Sequence, residues 1–332
     1  MRAVQLSQPN PIESKPLQIN TVETPTPGQG EILLDVNVCG ACHTDLHIAE
    51  GDISPPSLPI IPGHQVVGRV EALGEGVKRW EIGQRVGVPW LHRACGECRV
   101  CLSGQENLCP QAVFTGFDVN GGFADKMVAD ARYVLPLPEG VDDVDAAPLL
   151  CAGIIGYRSL RQADLEPGES LGLVGFGASA HLAIQVAKHW GCQVYVFSRT
   201  ESHRDLAQKL GAVWTGQSDQ DPPEQLDRVV LFAPVGALVP VMLRKLRPGG
   251  TLAINAIHTS PIPEMSYETI YGERTLRTVA NATYQDGVEF MELAAKISLQ
   301  VTTNLYPLEE VNQALEDMKH SRIDGEAVLR LD

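Results

Sequence analysis

Six residues, Cys42-His43-Thr44-Asp45-Leu46-His47, bring together a thiol, a hydroxyl, a carboxylate and two imidazoles. Thiolate and imidazole are zinc ligands, while hydroxyl, carboxylate and imidazole can move protons. If a helical turn starts here, Thr44 and His47 lie three apart on one face, close enough for the hydroxyl to pass a proton toward the ring. A second set follows at Cys95-x-x-Cys98-x-x-Cys101-x7-Cys109. Four thiolates at this spacing close a tetrahedral shell and leave no position for water or substrate, so the zinc expected there is structural. A zinc ribbon that reads nucleic acid is the competing use of such a set. The third stretch, Gly175-Phe176-Gly177-Ala178-Ser179-Ala180, follows an apolar run and opens a helical one, the context of a dinucleotide-binding turn.

These groups need elements to hold them. Apolar Ile32, Leu34, Val36 and Val38 alternate in the manner of a strand that ends just before Cys42. Pro25-Thr26-Pro27-Gly28 marks the turn that precedes it, and Val66, Val67 and Val70 between Gly63 and Gly74 suggest a second strand. Residues 1 to about 150 read as mostly β. From about residue 168 the texture becomes strand and helix in alternation: Leu171 to Phe176, Ala178 to Trp190, Gln193 to Phe197, Glu201 to Leu210, then strands at Arg228 to Phe232, Thr251 to Ala256 and Thr275 to Val279. That alternation predicts a parallel sheet with crossover helices. Ala180, Ala183, Ile184 and Ala187 give the first helix a narrow small-residue face for packing on it.

The chain of 332 residues exceeds what one core usually holds, which predicts two domains. Its 44% hydrophobic and 20% charged residues are those of an ordinary globular protein. A formal net charge of -15 opposes binding to a phosphate backbone, so no nucleic-acid partner is expected. No apolar run approaches a membrane span, and the start MRAVQLSQPNPIES lacks the form of a signal peptide. Eight cysteines in such a chain point to reduced thiols and metal, and to the cytoplasm.

Taken together, CGACHTDLH at 39 to 47, PGH at 62 to 64, the four-cysteine lobe, PLLCAGIIGY at 148 to 157, the Gly-rich turn and the late PLEEVNQALEDMKH resemble the zinc-dependent medium-chain alcohol dehydrogenases. The resemblance covers essentially the whole chain. It implies an α/β fold: a discontinuous GroES-like β catalytic domain at 1–151 and 282–332, with the structural-zinc lobe at 95–109, and a Rossmann doubly wound dinucleotide-binding domain at 152–281. Cys42, His64 and Cys151 fall at the catalytic-zinc positions, although the residues alone do not choose Cys151 over Cys192 or Cys42 over Cys39. Asp45 matches the carboxylate that orients the histidine ligand, Thr44 and His47 match the proton relay, His43 a pyrophosphate contact and Trp90 a wall of the alcohol pocket. The implied activity is hydride transfer between a primary or secondary alcohol, or its aldehyde or ketone, and a nicotinamide cofactor, with two zinc ions per chain. Alternatives are a non-catalytic zinc and nucleotide-binding protein of the same fold, or a polyol, formaldehyde or threonine dehydrogenase. Pairing through the edge strand Thr275 to Val279 implies a homodimer or homotetramer.

NADP(H) is expected over NAD(H). The second strand of the nucleotide domain ends in Ser198-Arg199-Thr200, two hydroxyls and a guanidinium where an NAD-selective site carries an acid, with His203 and Arg204 close behind. Glu201 keeps NAD possible as an acidic ribose ligand. Three positions depart from the family: Gln65 replaces a glutamate after His64, Ile155 a threonine near the nicotinamide, and Glu326 an arginine at the pyrophosphate. Glu326 is expected to repel phosphate there, which implies either weaker cofactor binding or Arg322 as a substitute cation.

Overall fold

The computed structural model describes residues 1–323 and 325–331. The chain divides into two compact units, Met1–Cys151 with Thr283–Asp332, and Ala152–Ala282. The second unit thus runs one residue past the boundary expected from the sequence.

The first unit, catalytic by the resemblance and so called below, is built on a mixed sheet, and the second is called the nucleotide unit. Its strands before residue 151 are β1 (Glu31–Ala41), β2 (Gln65–Leu73), β3 (Arg85–Val88), β4 (Lys126–Asp130) and β5 (Leu135–Pro136), with helix α1 (His43–Glu50) directly after β1. Ile32, Leu34, Val36 and Val38 are all buried, as their alternation predicts, and so are Leu33, Cys39 and Ala41, because both faces of β1 are covered. The other unit carries β6 (Ser170–Val174), α2 (Ala178–His189), β7 (Gln193–Phe197), α3 (Glu201–Lys209), β8 (Trp214–Gly216), β9 (Leu226–Leu231), α4 (Leu238–Lys245), β10 (Leu246–Ile254) and β11 (Thr275–Thr278). The chain then returns with β12 (Thr303–Pro307), α5 (Val311–Lys319) and β13 (Glu326–Arg330).

That return closes the catalytic sheet. β1 pairs along one edge first with β4, at Glu31 to Asp35, and then with β13, at Val38 to Ala41, both antiparallel. The sheet order is β12-β13-β1-β2-β3-β5. A segment almost three hundred residues away in sequence therefore fixes the end of β1 that leads into Cys42. Leu46, Ile48 and Ala49 of α1 share one apolar cluster with Ile32, Leu34, Phe123 and the α5 residues Val311, Ala314 and Leu315. Burial of a side chain such as Ile48 contributes about 1.5–3 kcal/mol, which is what pins α1 at its angle to the sheet.

In the nucleotide unit all strands run parallel in the order β8-β7-β6-β9-β10-β11. This is the doubly wound order, with its switch point between β6 and β9. Ala180, Ala183, Ile184 and Ala187 are at most 1% exposed, so the small-residue face of α2 packs where the sequence predicts. The sequence reading lacks β8 and α4. β8 is three residues long, and α4 contains Pro240, both of which weaken the periodic signal. Among the described residues no helix is long and apolar enough to cross a membrane.

Candidate active site and metal centres

Cys42 stands where β1 ends and α1 begins. It is the N-cap of α1: its sulfur accepts the Thr44 amide at 3.3 Å, and the Asp45 carboxylate reaches back to the Cys42 amide at 3.0 Å. This reciprocal cap satisfies two donors of the first turn and fixes the thiol direction. The Cys42 sulfur lies 3.4 Å from His64 Nε2, and Cys42, His64 and Cys151 place their three ligand atoms within 4.8 Å of one another. Cys39 and Cys192, which the residues alone left open, are outside this group. Hydrogen bonding from Cys151 and the charge of His64 hold the Cys42 thiol well below its ordinary pKa, while the hydrogen bond to Cys42 and burial push Cys151 up.

Asp45 is fully buried and sits 3.2 Å from His64 Nδ1, out of line for a hydrogen bond but close enough to set the ring by charge. Its Oδ1 also accepts the Gly63 amide at 3.1 Å, tying the turn before His64 to α1. Burial disfavours a charged His64, and Asp45 and Cys42 overcome it and raise its pKa.

Thr44 and His47 do share α1, yet no direct bond joins them; the Thr44 hydroxyl bears on the Cys42 sulfur instead. His47 Nδ1 pairs with Asp52 Oδ2 at 2.8 Å, a partner the sequence reading missed although Asp52 lies only five residues on. His43 is exposed in the first turn of α1. Trp90 presents its ring edge-on to His64 with centroids 4.8 Å apart, stacks on Phe114 at 5.1 Å and lies 6.0 Å from Phe117. A single tryptophan thus grows into a three-ring wall. Phe114 and Phe117 follow the cysteine lobe, and their only sequence signal is their aromatic type.

The lobe gathers Cys95, Cys98, Cys101 and Cys109. Sulfur pairs stand 3.8 Å apart for 95–101 and 98–109, and 3.5 Å for 98–101 and 95–109. A tetrahedron with zinc–sulfur bonds of about 2.3 Å has edges of about 3.8 Å, so the four donors fit zinc. The three-donor set fits as well, since its 3.4 Å sulfur–nitrogen separation is near the roughly 3.6 Å edge expected for mixed ligands. Amides of Glu97 and Cys98 aimed at Cys95 push its thiol down to about 6.

The nucleotide unit carries the Gly-rich turn expected to meet the cofactor. Gly175 has φ +85, and a Cβ there would meet the Ala233 amide at 3.0 Å, so the turn after β6 requires glycine. Gly177 caps α2 with open space where a Cβ would stand, which leaves the positive helix end approachable by phosphate. Phe176 is buried, and Ala178 begins the helix. Ser198 is buried, while Arg199 and Thr200 are exposed. The Arg204 guanidinium donates to the Ser198 and Arg199 carbonyls at 2.8 and 2.9 Å.

Two departures acquire a different meaning. Glu326 is 3% exposed at the start of β13, with Gln65 as its polar neighbour, so it is a buried group of the catalytic unit and not a surface charge that repels phosphate. Arg322 is exposed and pairs with Glu316 and Asp317 at 3.4 and 3.2 Å. Ile155, half-buried, accepts the Ser159 hydroxyl on its carbonyl.

A thiolate-and-imidazole metal site on a β unit, joined to a doubly wound nucleotide unit, defines a metal-dependent nicotinamide oxidoreductase. The alcohol dehydrogenase GroES-like domain family matches residues 28–139, and the zinc-binding dehydrogenase family matches residues 180–296. A probable alcohol dehydrogenase, AdhA, of Mycobacterium tuberculosis is 44% identical over 99% of this chain and 97% of its own length. An alcohol dehydrogenase of Moraxella sp. is 39% identical over 94% of this chain and 95% of its own. The cinnamyl alcohol dehydrogenase structure from Sorghum bicolor superposes with a TM-score of 0.90 at 28% identity, covering 99% of this chain and 97% of that one. The chain belongs to the zinc-dependent medium-chain alcohol dehydrogenase family and is a zinc-dependent alcohol oxidoreductase that uses a nicotinamide cofactor.

Proposed function

We propose that the enzyme interconverts apolar primary or secondary alcohols with their aldehydes or ketones, using NADP(H), with one zinc held by Cys42, His64 and Cys151 and a second, structural zinc held by Cys95, Cys98, Cys101 and Cys109. The observation that carries the substrate reading is the wall of Trp90, Phe114 and Phe117 against His64. Three rings offer apolar faces and edges but few polar groups, which suits an alkyl or aryl alcohol and disfavours a polyol or threonine. Initial rates on benzyl alcohol, butanol, mannitol and threonine test this, with kcat/KM highest for the first two. A preference for mannitol or threonine would overturn it.

Bound at the three-ligand site, zinc supplies Lewis acidity that makes an alcohol hydroxyl easier to deprotonate. The protein's own part is alignment and proton handling. Asp45 sets the His64 ring, and the reciprocal cap sets Cys42. Thr44, buried in the first turn of α1, takes the alcohol proton as it gives up its own toward His47, half-exposed one turn on, which releases a proton to solvent with Asp52 orienting its ring. Changing His47 to Gln should slow oxidation most at low pH, with partial rescue by added base, and Asp52→Asn should give a smaller loss of the same form. An unchanged pH profile in the His47 variant would reduce that residue to a structural one.

The NADP(H) reading rests on Ser198-Arg199-Thr200 at the end of β7, which offers donors and no carboxylate. Arg204, anchored on two carbonyls of that turn, adds positive charge beside it. Arg199 can hold a 2'-phosphate in bidentate fashion. The NAD alternative rests on Glu201, exposed in the first turn of α3. The double change Ser198→Asp with Arg199→Ala should move the ratio of kcat/KM values toward NAD by about 10-fold or more, the scale set by losing one charge-assisted phosphate contact. A wild type that already favours NAD, or a ratio that stays put, contradicts the assignment.

Assembly is proposed to run through β11, which ends the nucleotide sheet and leaves Leu276 37% exposed. A partner strand at that edge would satisfy its unpaired backbone groups. Light scattering at micromolar concentration should give a dimer or tetramer mass, and a monomer mass would rule this out. A cytoplasmic location fits the free thiols, with six of the eight cysteines in the two metal sets, four in one and two in the other.

A further inference from the structure

Gln65 and Glu326 are far apart in sequence and adjacent in the fold. Val328 of β13, Gly40 of β1 and Gln65 of β2 form one row across three strands. Residues opposite one another in a ladder share a face, and so do residues two apart on a strand. Glu326 therefore lies on the face that carries Gln65, and one step past the Ala327 to Ala41 pair it comes opposite Cys42. Gly40 makes room for this: a Cβ there would stand 3.0 Å from the Gln65 Cβ and Cδ and 3.1 Å from Nε2, so the Gln65 side chain lies across β1 at the missing side chain. Gln65 is 0% and Glu326 3% exposed. The polar group that bears on Glu326 is the Gln65 amide, yet none of their four side-chain heteroatoms reaches hydrogen-bonding geometry. Two buried polar groups left in this way are costly unless something else uses them.

The neighbours indicate what does. Burial, and then Cys42, push the Glu326 carboxyl well above the usual carboxyl range while Gln65 and His64 draw it down, and Glu326 in turn raises Cys151, so it shares one electrostatic neighbourhood with all three donors. Glu326 itself is not one of the three side chains whose ligand atoms gather within 4.8 Å, so it stands behind the donor set and not in it. We propose that Glu326 is a positioning residue of the catalytic metal site: on the sheet face that carries Gln65 and opposite Cys42 in the ladder, its carboxyl supplies the electrostatic backing by which Cys42, His64 and Cys151 retain a divalent cation. The family's glutamate beside the histidine ligand is absent at position 65, and the carboxyl reaches the same neighbourhood from β13. This rests on the catalytic-metal reading of those three ligands.

The test is the rate at which zinc leaves the folded enzyme for a chromophoric chelator. Two release phases are expected in the wild type, and Cys42→Ser should abolish one of them; if it abolishes neither, the catalytic-metal reading itself fails. Within the phase that Cys42→Ser removes, Glu326→Gln should speed release by about 10- to 100-fold, the usual effect of losing a group that supports metal ligands. The other phase and the thermal midpoint of the four-cysteine lobe should not move. The double variant Gln65→Glu with Glu326→Gln keeps an amide and a carboxyl with their places exchanged, and release should return toward the wild-type rate. Wild-type release from Glu326→Gln overturns the proposal while leaving the ligand assignment intact. Should Glu326→Gln fail to fold, the double variant decides alone: slow release supports the proposal and fast release overturns it.

Discussion

Replacing Cys42 by serine, or His64 by alanine, is expected to lower kcat/KM for every alcohol by about 10³-fold or more at any pH. Zinc contributes several kcal/mol of charge stabilisation, and each 1.36 kcal/mol is a factor of ten in rate. The two changes remove different things. Serine at 42 keeps an oxygen cap on α1 but takes away the soft donor 3.4 Å from His64 Nε2. Alanine at 64 also leaves Asp45, a wholly buried carboxylate, without the ring it faces at 3.2 Å. The His64 variant should therefore lose thermal stability as well as activity, whereas the Cys42 variant should lose mainly activity and one zinc. Elemental analysis with a thermal melt separates these outcomes, and retained turnover in either variant would contradict the ligand assignment.

Changing Cys98 to Ser is expected to release the structural zinc and unfold the lobe at 95–109. The short helix Arg99–Leu102 has no buried residue, and Leu102 is 75% exposed, so the lobe has almost no apolar core of its own. Backbone turns, the buried Asn107 and the bond from the Tyr284 amide to Glu106 at 2.8 Å are among what remains. Structural zinc binding is worth about 10–16 kcal/mol in small zinc peptides, and even a part of that exceeds what such a lobe has otherwise. Hydrogen exchange should rise across residues 95 to 109, zinc content should fall by one ion, and the melting temperature should drop by several degrees. Unchanged protection in the lobe would mean that the cysteines hold it without metal.

Much of this was legible in the sequence because it rests on local pattern. The alternating apolar residues of β1, the small-residue face of α2 and the four-cysteine spacing are each readable within a short window. The pairing of Cys42 and His64 with Cys151 is a product of the fold, since residues 42, 64 and 151 are on different elements; only the resemblance chose Cys151 over Cys192. Asp52 was missed because nothing in its type distinguishes it from the other exposed acids. The meaning of Glu326 was misread for a topological reason. Its role depends on β13 pairing with β1, a contact between residues about three hundred apart that no periodicity reveals. Gln65 and Glu326 read separately as two weakened positions, and the strand order makes them one buried pair.

Alcohol oxidation in this enzyme is expected to depend on zinc at the three-ligand site. This dependence is tested most directly by following nicotinamide absorbance with benzyl alcohol before and after selective chelation of the zinc whose release phase Cys42→Ser removes. Near-ultraviolet circular dichroism confirms that the fold persists. Loss of turnover with the fold intact, and recovery when one equivalent of zinc is returned, is the result expected. Full turnover in a folded enzyme that retains only the four-cysteine zinc would contradict it.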